Sequence, residues 1–402
     1  MRLLVILYAG DYRDAYRRMV ANEGEAYHGH RYALKSLINI GQKIEEVAVL
    51  CCRSEEPYNQ LLEPGFRVIG TGFCPETHQS SLLRIIKEYQ PSHVVLRAPM
   101  LSVLGWLTRH QIPSIMMFAD SFLSRKISAR FKYFWMARQL NQPCVKWVSN
   151  HGINACQSLH HIGVKADKLI PWDWPYTRTP RLYSPKQLSA DDRPWNLIYV
   201  GSVNKPKGVG DVLDAIAHLK HKQRRLRLKI AGRGNLETFS QQAKHLGIED
   251  AVDFLGLVPN HSVVEQMRAA DLVLVPSHHE YPEGFPLTIY EALCARTPLV
   301  ASDHPMFRGF LVHETNAMVF PATHSTAIAD CIEQIMTDAA LYHQLSTTAL
   351  DTWEKLQIPV KWAELIERWL FNSPQNSQWL LEHRLNSGKY DHIVKPPQLA
   401  LN

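Results

Sequence analysis

At 402 residues the chain exceeds what a single hydrophobic core usually serves, and 46% apolar with 20% charged residues excludes a disordered or fibrous protein. A net charge of +6 comes with no nucleic-acid-binding motif, which argues against a nucleic-acid partner. Seven cysteines, an odd number without Cys-x-x-Cys spacing, speak against a zinc site and for a reducing compartment.

Met1 to Ala9 reads as an apolar strand ending at Gly10. It runs straight into charged residues, so no signal peptide is expected, and no apolar stretch reaches the length of a membrane span. Asp11 to Arg18 is read as a charged loop, and the segment from Gly24-Glu25 to Ile40 as a helix closing at Gly41. His93-Val-Val-Leu96, Ser114-Ile-Met-Met-Phe118 and Cys144-Val-Lys-Trp-Val-Ser149 have the continuous apolar character of buried parallel strands, a doubly wound α/β pattern. Residues 125–138 interleave cations with Phe131, Tyr133, Phe134 and Trp135 at helical spacing. That pattern fits an ordinary surface helix that packs its aromatic face on the sheet, or else a peripheral membrane helix. Residues 1–175 carry 21 Lys+Arg against 14 Asp+Glu, the remainder 23 against 24, so the positive surplus lies in the first half. In Pro171-Trp-Asp173-Trp-Pro175 the two indoles suit either stacking on a sugar or packing between domains. The proline-rich, polar stretch 176–194 is predicted to be an interdomain linker.

The second half repeats a strand, loop and helix unit. Asn196-Leu-Ile-Tyr-Val200 ends at Gly201, and a loop holding Ser202, Lys205 and Lys207 leads into a helix reaching about His221. Leu226 to Gly234 is a strand running into a two-glycine turn, followed by Val252-Asp-Phe-Leu-Gly256-Leu-Val258-Pro259. Gly232 and Gly234 start a dinucleotide fingerprint but lack its third glycine and its ribose-binding acid, so a dehydrogenase is disfavoured. The buried strand Asp271-Leu-Val-Leu-Val-Pro276 precedes Glu283-Gly-Phe-Pro-Leu-Thr-Ile-Tyr-Glu291. A helix starting in that stretch would aim the free N–H groups of Gly284 to Leu287 at an anion, with Pro286 tolerated in its first turn. Glu283 and Glu291 would then grip two hydroxyl-bearing parts of one ligand. Trp362 to Leu370 reads as a helix near the end of the chain, and the tail from Pro396-Pro397 as frayed.

The passage from Pro276-Ser277 through Gly284-Phe285, Glu291-Ala-Leu293 and Thr297-Pro-Leu-Val-Ala-Ser-Asp303 resembles the donor site of the retaining family 4 glycosyltransferases of GT-B fold. The resemblance covers nearly the whole chain and is strongest from Leu197 to Phe320. It implies two Rossmann-like domains facing a cleft, at residues 1–180 (acceptor) and 181–375 (nucleotide sugar), with 376–402 crossing back to the first. It also implies transfer of a sugar from a nucleotide-diphosphate sugar to an acceptor hydroxyl, in polysaccharide, glycolipid or other glycoconjugate synthesis, without metal or cofactor. Glu283 would face the donor sugar, Glu291 the ribose and Lys207 the diphosphate. Gly24, Gly201, Ser202, Gly232, Val258, Gly284, Phe285, Pro286 and Leu287 would line the donor site.

The chain departs from that family at several points. Ser202 stands where an arginine is usual, removing half the expected charge on the diphosphate, with Lys205 as a substitute. Ala119 replaces a histidine, leaving Asp120 as the candidate polar group on the acceptor side, or else as the cap of the next helix. His304-Pro-Met306-Phe307-Arg308 replaces a glycine pair, with His304 or Arg308 placed to meet the donor. The charged segment from Asp11 would shape the acceptor site. The acceptor would be a sugar, lipid-linked or small molecule, met in the cytoplasm or at the inner membrane face through residues 125–138. A scaffold without turnover, or an epimerase or phosphorylase on the same fold, are the alternatives.

Overall fold

A computed structural model describes residues 1–25, 28–124, 126–189 and 193–391. Two compact units emerge among the described residues: Met1–Pro175 together with residues 358–391, and Tyr176–Gln357 between them. Arg125 and the tail beyond Asp391, including Pro396 and Pro397, lie outside the described residues.

The first unit is built on β1 (Arg2–Leu7), α1 (Tyr12–Val20), α2 (His30–Gly41), β2 (Glu46–Cys51), β3 (Pro57–Glu63), β4 (Phe66–Thr71) and α3 (Gln79–Tyr89). It continues through β5 (His93–Leu96), α4 (Leu101–Arg109), β6 (Ser114–Phe118), α5 (Ile127–Leu140), β7 (Val145–His151), α6 (Ile153–His161) and β8 (Leu169–Trp172). The strands order as β3-β4-β2-β1-β5-β6-β7-β8, parallel throughout except for β3 on the edge. Strands covered by helices on both faces must be apolar on both, and β1, β2 and β6 are buried almost end to end.

The segment read as a charged loop is helix α1. Asp11 caps it by accepting from the amides of Arg13 and Asp14. Tyr12, Ala15, Tyr16 and Met19 recur at helical spacing behind the charges, the signal that identifies it.

In the second unit β9 (Trp195–Val200), α7 (Val209–His221), β10 (Leu226–Ala231), α8 (Leu236–His245), β11 (Val252–Gly256) and α9 (Asn260–Ala269) come first. There follow β12 (Leu272–Val275), α10 (Leu287–Cys294), β13 (Leu299–Ser302), β14 (Met318–Phe320), α11 (Ser325–Thr337) and α12 (Ala339–Leu356). The sheet is wholly parallel, in the order β11-β10-β9-β12-β13-β14.

The stretch 176–194, predicted as a linker, lies along this unit in its described part. Arg193 forks onto Asp271 at 2.7 and 2.8 Å, Lys186 N donates to Ser346 Oγ at 2.7 Å, and Arg296 Nε donates to the Pro180 carbonyl at 2.8 Å. Its polar residues serve as anchors rather than as solvated linker.

The chain re-enters the first unit at Ile358, earlier than the expected 376, so α13 (Trp362–Leu370) and α14 (Pro374–Glu382) belong there. Packing decides this. Trp362 is fully buried and stacks on Trp174 with centroids 5.8 Å apart, while the amides of Asp173 and Trp362 donate to the carbonyls of Val360 and Asp173.

Candidate functional site

Open parallel sheets bind ligands beyond the carboxyl ends of their strands, where the strand order reverses. In the second unit that point lies between β9 and β12. The loop 201–208 leaves β9 and the loop 276–286 leaves β12, and the two close on each other. Gly208 has φ +74°, and a Cβ there would stand 2.1 Å from the Pro276 carbonyl oxygen, so a side chain would hold the loops apart. The His278 amide donates to the Pro206 carbonyl at 2.9 Å, and Asn204 Oδ1 accepts from the Lys207 amide at 3.0 Å.

This stitching delivers Lys207 to Glu283. The two side chains form a largely buried ion pair, Nζ to Oε1. Glu283 Oε1 also accepts from Ser277 Oγ at 2.7 Å, and the Lys207 ammonium sits 4.5 Å from the Tyr281 ring centroid. Glu283 is 6% exposed, which is rare for a carboxylate that is not paired.

Glu291 is placed independently, on the second turn of α10, where its Oε1 accepts from Asn260 Nδ2 of α9 at 3.2 Å. Part of its surface stays open, yet protein encloses the carboxyl closely enough that desolvation pushes its pKa up to about 7, against the single lowering contact from Asn260. Pro286 occupies the cap position before Leu287, the first helical residue, rather than the first turn itself. Gly284, Phe285 and Pro286 are buried and Leu287 half-buried. The Phe285 ring packs on Tyr290, Phe307 and Phe310, which leaves its main chain as the part available to a ligand.

The loops after β9, β10 and β11 nest against one another. Gly232, at φ +148°, donates its amide to the Gly256 carbonyl at 2.7 Å, and a Cβ on it would lie 1.7 Å from the Gly201 carbonyl oxygen. Ser202 and Lys205 are exposed, the Ser202 carbonyl accepting from the Tyr199 hydroxyl at 2.7 Å, and Val258 is half-buried just before α9.

After β13 the two candidates separate. His304 is fully buried, its Nε2 donating to the Tyr281 carbonyl at 3.1 Å and its Nδ1 accepting from the Met306 amide at 3.2 Å. Burial pushes its pKa down to about 4, so it is a neutral packing residue, whereas Arg308 is exposed. Sequence reasoning missed His279 and Asp303, which meet at 2.6 Å on partly exposed side chains. Burial alone would raise the Asp303 pKa, but the Ala322 amide and His279 outweigh it and hold the carboxyl below its usual range.

In the first unit the strand order reverses between β1 and β5. Gly10 follows β1 and Arg97 follows β5. The Arg97 guanidinium lies 5.0 Å from the Trp172 ring and 5.5 Å from those of Trp174 and Trp362. His30, whose pKa burial and then the Arg97 charge depress to about 4, opens α2 beside it.

Gly24 is exposed between α1 and α2. The helix expected to begin there opens instead at Gly29, which has φ +85° and whose Cβ would strike the Trp174 ring at 2.6 Å. Asp120 is half-buried after β6, its carbonyl accepting from Asn150 Nδ2 at 2.8 Å. It does not cap the next helix, which begins at Ile127 with Lys126 at the cap position. Trp172, Asp173 and Trp174 are all buried, and Asp173 Oδ1 accepts from the Trp174 amide at 2.7 Å while meeting His151 Nε2 at 3.0 Å. The indoles pack inside the unit, and neither presents a face for a sugar.

Residues 182–351 match the family described as Glycosyl transferases group 1. Among individual proteins, the phosphatidyl-myo-inositol mannosyltransferase of Mycobacterium leprae is 32% identical over 146 residues, 36% of this chain and 38% of that protein. The alpha-D-kanosaminyltransferase of Streptomyces kanamyceticus is 27% identical over 165 residues, 41% and 42% of the two chains. The chain thus spans less than half the length of these curated relatives. Solved structures match over much more. Sucrose-phosphate synthase from Thermosynechococcus elongatus superposes with a TM-score of 0.67 at 17% identity, over 89% of this chain and 94% of that one. Anabaena HepE in complex with UDP-glucose gives 0.63 at 16% identity, over 95% and 98%.

Proposed function

We propose that the chain, whose residues 182–351 match the group 1 glycosyl transferases and which has the GT-B fold, is a retaining glycosyltransferase that uses a nucleotide-diphosphate sugar. The reading is carried by one observation. At the switch point of the second sheet, and within the matched residues, a lysine and a glutamate from separate loops are delivered to each other while a second glutamate stands on the helix that follows.

In this reading Lys207 exchanges Glu283 for the donor diphosphate, and the amides opening α10 share the phosphate charge. Both stabilise the leaving nucleoside diphosphate as the anomeric C–O bond breaks. Glu283, released from Lys207 but still held by Ser277, orients the sugar while an acceptor hydroxyl bonds to the anomeric carbon from the same face. Glu291 accepts the ribose hydroxyls. Asp120 would take the proton of the acceptor hydroxyl as the new C–O bond forms, and the acceptor would be a sugar, lipid-linked or small molecule at the cytoplasmic side, with the segment 126–138 as a peripheral membrane contact. Anabaena HepE binds UDP-glucose, so UDP sugars are the first donors to try.

A thermal-shift panel of UDP, GDP and ADP sugars on wild type and Glu291→Ala tests the donor site. At a hundredfold excess over Kd a native-state ligand stabilises by about 2.7 kcal/mol, or roughly 5–10 °C for a unit of this size. A shift with one nucleotide, lost in the variant, supports the reading. No shift with any nucleotide counts against it and favours a scaffold without turnover, to which Ser202 and Ala119 already point.

A further inference from the structure

Helix α5 is apolar on two opposite faces. Met136, Ala137 and Leu140 are buried, and Tyr133 packs on Phe122 with centroids 5.8 Å apart. The other face carries Ile127, Phe131, Phe134 and Trp135, spaced by four, seven and eight residues from the first, which places them on one side of a helix. They are 86%, 66%, 59% and 45% exposed. Every exposed Phe or Trp among the described residues lies on this face, with Trp135 in ring contact with both phenylalanines. The earlier alternative, that the aromatics pack on the sheet, therefore holds for Tyr133 alone.

Cations surround the exposed face. Lys126 precedes it, Arg130 and Lys132 flank it, Arg138 extends it, and all four are exposed. No acidic residue occurs between 121 and 140. We propose that α5 lies in the surface of a membrane containing anionic lipid, with Ile127, Phe131, Phe134 and Trp135 among the acyl chains and the four cations at the headgroups.

Charge selects this occupant. A second copy of the chain placed across a twofold axis would bring the same basic rim against itself, with no carboxylate within residues 121–140 to compensate. Anionic headgroups supply the complementary charge over the same area that the apolar face needs covered. Asp120 follows β6 and stands only a few residues before the start of α5 in the sequence, so a docked helix would set the candidate acceptor-side carboxylate a few residues from the lipid surface. The inference rests on the transfer reading only for that lipid-linked acceptor.

Flotation with vesicles of phosphatidylcholine, with and without phosphatidylglycerol, and in the absence of nucleotide, tests it. Wild type should float with the anionic vesicles only and be released by salt, a result that needs no variant. Phe131→Ser with Trp135→Ser should weaken partitioning about tenfold or more. Arg130→Gln and Lys132→Gln should each cost about fivefold. All four positions are exposed, so melting midpoints should stay close to wild type. Absence of flotation, flotation unchanged by the substitutions, or loss of a dimer in the serine variant without any effect on vesicles would each overturn the proposal. The UDP shift is measured without vesicles, so failure of docking and failure of the donor site are told apart.

Discussion

Burial lifts the carboxyl of Glu291 towards neutrality. Its carboxyl has a folded pKa of about 7, above the ordinary 4.5, so the folded state holds the proton more tightly than the unfolded chain. Stability from this group is therefore complete below about pH 4.5 and is lost as pH rises towards and through 7. Glu291→Gln should remove that loss, raising stability at pH 8 by roughly 1–3 kcal/mol while changing little at pH 4. If Glu291 receives the ribose as proposed, nucleotide affinity should lose its pH dependence in the same variant, because the hydroxyls would donate to the carboxylate and wild type should bind more tightly at pH 8 than at pH 6. Melting curves and titration calorimetry at two pH values check both. Glu283 and Glu291 were singled out in the sequence by the strand, loop and helix start around them and by the family resemblance, since their spacing alone is a weak signal. Ser277, Asn260 and the His279–Asp303 contact were not, since their partners come from separate loops whose meeting depends on the fold.

The elements that build the crevice depend on positions where no side chain fits. Gly232→Ala would drive a Cβ into the Gly201 carbonyl and should cost roughly 2–4 kcal/mol, lowering the midpoint and weakening nucleotide binding together. Gly247→Ala is the control. Its φ is +66° but nothing lies within 4 Å, so only backbone strain of about 1 kcal/mol applies. Equal losses in the two variants, measured by thermal melts, would show that the nesting of the three loops is not what matters. Strands were readable from apolar runs because both sheet faces are covered. Helix α1 was not, because arginines and aspartates obscured a helical apolar row and the capping role of Asp11. Gly24 shows the same difficulty in reverse: its loop was legible, but the glycine that the packing requires is Gly29, against Trp174.

At the scale of the whole molecule, the first unit is completed by residues far along the chain. Trp362→Ala would leave a void against Trp174 and Arg97 and should cost roughly 3–5 kcal/mol. Calorimetry should show the transition of the first unit lowered while the nucleotide shift of the second persists. The return was expected at 376 because the helix 362–370 has no mark in its own sequence of which unit it serves. Its partners, Trp174 and Asp173, are nearly two hundred residues away. That distance also sets an order in time. A ribosome adds about 5–20 residues per second, so the stretch Tyr176–Gln357 takes roughly 10–40 s to emerge. Throughout that interval the nascent first unit lacks Trp362 over its tryptophans, while the second unit, whose described residues all lie within Tyr176–Gln357, can fold as soon as they are made. The unit that begins first is the one that must wait, and a chaperone that shields apolar surface would find its client there.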